Sequence, residues 1–347
     1  MLFDNLKGQE SAIATLRHAL AHGRLAHAYL FIGPTGAGKK TTALALAQAI
    51  LCNEKPQEGC GVCAACSSIL AGSHPDVTLV APELGKQSVT TEQVRDLRRL
   101  LNLRPVRGGK KIAIIDAAHL LTPQAQSALL KIVEEPPGDA LLILLTVNSA
   151  TLSRPLLSRC QQIRFSALPL SIVEELLIQR YGKDPDTARA LAIYSRGSVG
   201  RAVAVDPQIL TEERQYVVKE IQQLNRTSFT DLSHLAEWLV ADRAKKSTMG
   251  DRSAEGRIAG DRLEIVLSWY EEVLRCVVLG QAGVVRHRDC LSAVAEAAAG
   301  LNVAEALRQL TLVYDTMQTL GRNANRQLAV EDMLMQLAAR SVAEPRP

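Results

Sequence analysis

The stretch Gly33-Pro-Thr-Gly-Ala-Gly-Lys39 constrains this 347-residue chain more than any other. It follows a short apolar run, Tyr29-Leu-Phe-Ile32, and precedes an Ala/Leu-rich helix former from Thr41 to Leu51. Between a strand and a helix, the pattern G-x-x-x-x-G-K reads as a phosphate cradle. Its glycines let backbone N–H groups converge on an anion, the helix N-terminus adds partial positive charge, and the lysine reaches the terminal phosphates.

The surrounding pattern supplies the sheet that such a loop needs. Asp76–Val80, Lys111–Asp116 and Leu141–Thr146 read as strands. Val89–Leu101, opened by a Thr90-x-x-Gln93 capping box, and Pro123–Glu134 read as helices. Strands alternating with helices imply a parallel sheet covered on both faces. No strand is expected after Pro169. Leu170–Arg180, Asp184–Tyr194 and Ser198–Val205 read as short helices, and Pro207–Arg340 as helical nearly throughout, clearest at Leu263–Leu279 and Val303–Leu320. The polar, Gly-bearing stretch Lys245–Gly260 reads as a mobile loop and residues 344–347 as a disordered end. The expected organisation is an α/β domain over 1–165, a small helical domain over 166–206 and a larger one over 207–343.

Composition narrows the function classes. A hydrophobic fraction of 47% with 22% charged residues excludes wholesale disorder. A net charge of +4 is too weak a bias to predict nucleic acid. The first ten residues carry charges where a signal peptide needs an apolar run. The apolar run Ala140–Val147 falls far short of the roughly 20 residues that span a bilayer. A soluble cytoplasmic protein without a membrane role is expected.

The phosphate loop departs from a working one in two places. The residue after the lysine should offer a hydroxyl to Mg²⁺, and here it is Lys40. Thr41 is no simple substitute, because one residue along a helix turns the side chain by about 100°. Lys40 instead brings a second cation near the metal position. A metal-organising carboxylate is present as Asp116, at the end of its strand, but Ala117 and Ala118 follow where a water-activating carboxylate belongs. His119 is the titratable group next in line, more plausible as a structural or surface residue than as a base. These losses point away from hydrolysis. Nucleotide binding (ATP or ADP) stays open, since Gly33, Gly36, Gly38 and Lys39 survive and Pro34, Thr35 and Ala37 complete the loop.

Four of the seven cysteines lie within fifteen positions, as Cys52-x7-Cys60-x2-Cys63-x2-Cys66. Four thiolates in a short Gly-bearing loop suit tetrahedral Zn²⁺ with no open position for water, a structural role. The insertion 52–66 is therefore expected to be stapled by zinc.

Several longer segments carry a resemblance: Gly23-Arg-Leu-Ala-His-Ala-Tyr29, the four-cysteine insertion, Asp116-Ala-Ala-His-Leu-Leu-Thr122, Ala128-Leu-Leu-Lys-Ile-Val-Glu-Glu-Pro-Pro137, Leu157-Ser-Arg-Cys160 and Asn323-Ala-Asn-Arg-Gln-Leu-Ala-Val-Glu331. Together they resemble the bacterial DNA polymerase III clamp-loader subunits, of the AAA+ class. The resemblance implies an AAA+ domain, a helical lid and a helical collar joining a five-membered ring with gamma/tau and delta subunits. Through that complex it implies action on the sliding clamp and primed DNA. The damaged loop looks like the delta-prime branch, for which no intrinsic ATPase is expected, whereas gamma/tau subunits retain both parts. An active gamma/tau-like ATPase is the rival, and Lys40 and Ala117 discriminate against it. Active members also carry a lid arginine where Gly197-Ser-Val-Gly200 places glycine, with Arg201 displaced by one residue.

By the same resemblance, Arg159 in Ser158-Arg159-Cys160, following a strand and a loop with Pro155, projects onto a nucleotide held by the next subunit. An arginine supplied in trans is worth roughly 10³–10⁵ in rate. Arg154 is a weaker rival, and Thr146 and Asn148 occupy the place of a phosphate sensor. Direct DNA binding has thin support: Arg104, Arg107, Lys110 and Lys111 form a basic patch with few aromatics for stacking. The apolar stripes at Ile265, Trp269, Leu274, Leu307, Leu310 and Val313 mix core and partner-facing positions.

Overall fold

The computed structural model describes residues 3, 6–83, 86, 88–106, 109–241, 252–283, 290–320 and 325–340. It divides into two units, Met1–Ala204 and Val205–Pro347. The first holds a five-stranded parallel sheet of β1 (Ala28–Ile32), β2 (Val77–Val80), β3 (Lys111–Ile115), β4 (Ala140–Thr146) and β5 (Gln161–Arg164). The strand order is β2-β3-β4-β1-β5. Every residue of β3 and β4 is buried, as strands covered on both faces require.

Period-two alternation sorts the strand residues between two cores. Tyr29, Phe31, Ile112, Ile114 and Ile143 pack with α1 (Glu10–Ala21) and α2 (Lys39–Leu51), through Leu16 and Leu46. Leu30, Ala113, Ile115, Leu142 and Leu144 pack with α4 (Thr91–Leu101) and α5 (Pro123–Glu134), through Leu97 and Leu129. The capping box forms as expected, with Thr90 accepting from the Gln93 amide and Gln93 returning to the Thr90 amide. The phosphate loop leaves β1, Asp116 leaves β3, and Thr146 ends β4 opposite Ile32. All three stand at the carboxyl edge of the sheet, where open α/β sheets bind ligands.

The expected helices 170–180, 184–194 and 198–205 are α7 (Leu170–Tyr181), α8 (Pro185–Ser195) and α9 (Val199–Ala204). They lie in the first unit with the sheet. Three elements were not expected: α3 (Ala64–Leu70), α6 (Arg154–Arg159) and β5. Pro155 stands in the first turn of α6, where a missing N–H costs nothing, so a helix replaces the expected loop.

The second unit is helical: α10 (Pro207–Gln223), α11 (Phe229–Val240), α12 (Arg252–Leu279), α13 (Leu291–Ala298), α14 (Val303–Leu320) and α15 (Arg326–Arg340). Residues 252–260, expected in a loop, belong to α12; the two glycines there, Gly256 and Gly260, cost a helix only about 1 kcal/mol each, and the apolar stripe beyond them carries the helix. Residues 245–251 of that expected loop lie outside the described residues, as do Arg107, Asn323, Ala324 and 344–347. The apolar stripes now separate: Ile265, Trp269 and Val313 are core, Leu274 and Leu310 half-buried, and Leu307 exposed. Among the described residues no helix is long and apolar enough to cross a membrane.

Candidate functional site

A cleft of about 490 Å³ opens at the carboxyl edge of the sheet. Its floor is the phosphate loop, whose shape depends on glycine. A Cβ on Gly33 would lie 2.3 Å from the Phe165 carbonyl oxygen. Gly36, at φ +77°, would meet the Ser198 side chain at the head of α9. Gln9 fixes the loop from behind. Its amide nitrogen donates to the Ala37 and Ser166 carbonyls at 3.1 and 2.6 Å, and its oxygen accepts from the Ser166 amide at 3.1 Å.

The cations in the cleft are turned onto the chain itself. Lys39 Nζ donates to the carbonyls of Gly33 and Pro34 at 2.6 and 2.7 Å. Burial lowers its pKa, and Asp116 partly opposes that. Lys40 Nζ stands 3.3 Å from Asp116 Oδ2, while Asp116 Oδ1 accepts from the Ala117 amide at 3.0 Å. Thr41 is exposed, and the buried Thr42 hydroxyl donates back to Gly38 O at 2.9 Å. Divalent metals of the Mg²⁺ kind require several oxygen ligands. Here Asp116 already holds an ammonium and the position directly after Lys39 offers no hydroxyl, so the residues present do not fit that ion. Burial, and then the charge of Lys39, lower the His119 pKa. Its Nδ1 is buried without a hydrogen-bond partner, an environment for a neutral imidazole.

Val199 and Gly200 line the cleft, whereas the Arg201 guanidinium lies over the Tyr194 ring, 4.8 Å from its centroid. Thr146 lines the cleft too, but its hydroxyl donates to Asn148 O at 2.8 Å. Asn148 Oδ1 accepts from the Ala150 amide at 2.9 Å, capping a turn. Lys7 and Arg180 also line the cleft. Sequence reasoning missed them and Gln9, because each comes to the cleft from a segment outside the loop motif.

The four insertion cysteines converge as their spacing predicts. The sulfurs of Cys52, Cys60, Cys63 and Cys66 lie within 4.8 Å of one another, with Cys52 and Cys66 buried. Backbone amides point at the sulfurs: Lys55 and Cys60 toward Cys52, Cys63 toward Cys60, and Cys66 toward Cys63, at 3.2–3.5 Å. Such amides favour thiolates, and those of Val62 and Cys63 bring the Cys60 pKa down to about 6. Burial pushes Cys66 up to about 12; a bound cation would offset that cost. The donor set fits a metal held by four sulfurs. The Gln48 amide donates to Cys66 O at 2.9 Å, tying the knuckle to α2.

Arg159 ends α6 and is exposed, while Cys160 behind it is buried, which raises its pKa to about 11. Its guanidinium pairs with Glu134 Oε1 at 3.0 Å and donates to Pro155 O at 3.1 Å. Ser158 Oγ donates to the same carbonyl at 3.0 Å.

With this geometry in view, residues 8–169 match the family described as DNA polymerase III, delta subunit. Over this α/β domain and the helices that follow, the chain is similar to DNA polymerase III subunits of the delta' and tau kinds. It is 28% identical over 332 residues to the DNA polymerase III subunit delta' of Bacillus subtilis, covering 95% of this chain and 96% of that one. The delta' subunit of Pseudomonas aeruginosa is 35% identical over 204 residues, 57% of this chain and 61% of that one. The B. subtilis tau subunit is 35% identical over 185 residues, 53% of this chain and 32% of that one. A solved gamma subunit-related protein of Thermotoga maritima is 16% identical, with 94% and 98% of the chains covered and a TM-score of 0.46, too distant to bear on function.

Proposed function

We propose that this chain serves as a delta-prime-type subunit of a DNA polymerase III clamp loader. It joins gamma/tau and delta subunits in a five-membered ring that places a sliding clamp on primed DNA. Its own cleft does not hydrolyse ATP, and Arg159 completes the site of a neighbouring gamma/tau subunit. The observation that carries the reading is the Lys40 ammonium 3.3 Å from Asp116. A cation fixed to the metal-organising carboxylate repels a second cation, and Ala117 offers no base to activate water. Gly200 on the cleft wall leaves no lid cation at the expected place. Any nucleotide that enters is held by Lys39 and the loop amides without the metal that turnover needs.

Arg159 supports the second half. It is a cation on the surface, rooted at a helix end over a buried Cys160, in the tripeptide where the family places its trans-acting arginine. A zinc ion at the four cysteines would cross-link the insertion and take no part in the reaction.

The test is ATP turnover by the purified chain, alone and mixed with gamma/tau and delta subunits. The expected result is no turnover alone and DNA-stimulated turnover in the complex. Arg159→Ala should lower that turnover by orders of magnitude, with assembly intact. Brisk hydrolysis by the isolated chain would instead make it a motor subunit like the tau relatives. Metal analysis of untagged protein should return one zinc per chain, and a value near zero after metal-replete expression would remove the zinc assignment.

A further inference from the structure

Arg159 makes contacts within its own chain that its role toward a neighbour leaves unexplained. Glu134 is the last residue of α5 and Arg159 the last of α6. Nη2 lies 3.0 Å from Glu134 Oε1, and Nη1 donates to Pro155 O at 3.1 Å and toward Ser158 Oγ at 3.4 Å. Both terminal nitrogens therefore face acceptors of the same chain. The two side chains remain 43% and 41% exposed, so water and any incoming anion can reach the pair.

We propose that Glu134 is a positioning residue that parks Arg159 and competes with the neighbour's nucleotide phosphate for it. The inference rests on the reading that Arg159 acts in trans. A guanidinium presents its N–H groups as a planar fork that suits a carboxylate and a phosphate equally well, so Glu134 and a phosphate contend for one edge. A half-exposed pair of this kind is weak. It orders a long side chain yet yields to a more highly charged anion. Glu134 thus sets a threshold: the arginine stays on its own subunit until the neighbouring site is filled. Because the competition acts equally on bound ATP and on the transition state, it changes substrate affinity and not the chemical step.

The experiment uses the reconstituted complex and Glu134→Gln, which keeps shape and removes charge. The ATP KM should fall about two- to fivefold, the range a weak surface pair spans, with kcat unchanged. Glu134→Ala should do the same, which guards against an effect of the new amide. Adding either change to Arg159→Ala should leave KM where Arg159→Ala alone puts it, since the two residues act as one unit. An unchanged KM, or a fall in kcat at unchanged KM, overturns the parking role while Arg159→Ala still marks the arginine as functional. If Arg159→Ala leaves turnover untouched, the trans-acting reading fails first and the inference with it.

Discussion

Strand β3 carries a lysine–aspartate pair at each end, and the two differ in almost everything except their chemistry. At the amino end Lys111 and Asp76 meet at 3.1 Å, with side chains only 9% and 1% exposed. Asp76 also accepts from the Val106 amide at 3.0 and 3.2 Å, and Lys111 donates to Pro75 O at 3.2 Å. At the carboxyl end Lys40 and Asp116 meet at 3.3 Å with 48% and 34% exposed. A buried pair is held by desolvation of the alternative: remove one partner and a charge is stranded in the core. An exposed pair adds little to stability, so folding does not explain a lysine at position 40. Under the proposed function, its effect is on what can bind.

The sharpest way to break the comparison is Asp76→Ala. Stranding the Lys111 ammonium and freeing the Val106 amide should cost about 3–5 kcal/mol, read from chemical denaturation of the full chain. A loss below about 1 kcal/mol would place the two ends of β3 in one class. Burial, not distance from the cleft, should set the scale, and Gln9 tests this. It stands at the cleft but is only 6% exposed. Gln9→Ala leaves the Ala37 and Ser166 groups without their partner and should cost about 1–3 kcal/mol by the same measurement.

These contrasts explain what the sequence could and could not reveal. Strands β3 and β4 are apolar at nearly every position, so both were visible to within one residue. Strand β5 was invisible because Ile163 is its one buried residue. Helix α6 reads as a loop in sequence because Pro155 resembles a breaker, whereas it stands in the helix's first turn. The phosphate loop and the cysteines were legible because each motif is contiguous or nearly so. The Lys40–Asp116 contact was half legible: a second cation near the metal position was expected, but its seat on Asp116 comes from the fold, which brings the start of α2 to the end of β3. Gln9 and the Glu134–Arg159 pair depend on segments far apart in sequence, and no local pattern announces them.

The smallest effect on stability is also the most informative. Lys40→Ser removes the exposed pair and supplies the hydroxyl that the loop lacks. Stability should change by less than about 1 kcal/mol, since water solvates Asp116 once the ammonium is gone. Nucleotide binding should respond far more. With Asp116 released and a hydroxyl beside it, two oxygen ligands face the place where a divalent cation sits. Affinity for a fluorescent ATP analogue should then become Mg²⁺-dependent, whereas that of the unaltered chain should not depend on Mg²⁺. Turnover should stay absent, because Ala117 still provides no base. If Lys40→Ser instead destabilises the chain as much as Asp76→Ala, Lys40 is a structural rivet. If binding stays indifferent to Mg²⁺, Lys40 is not what keeps the metal out.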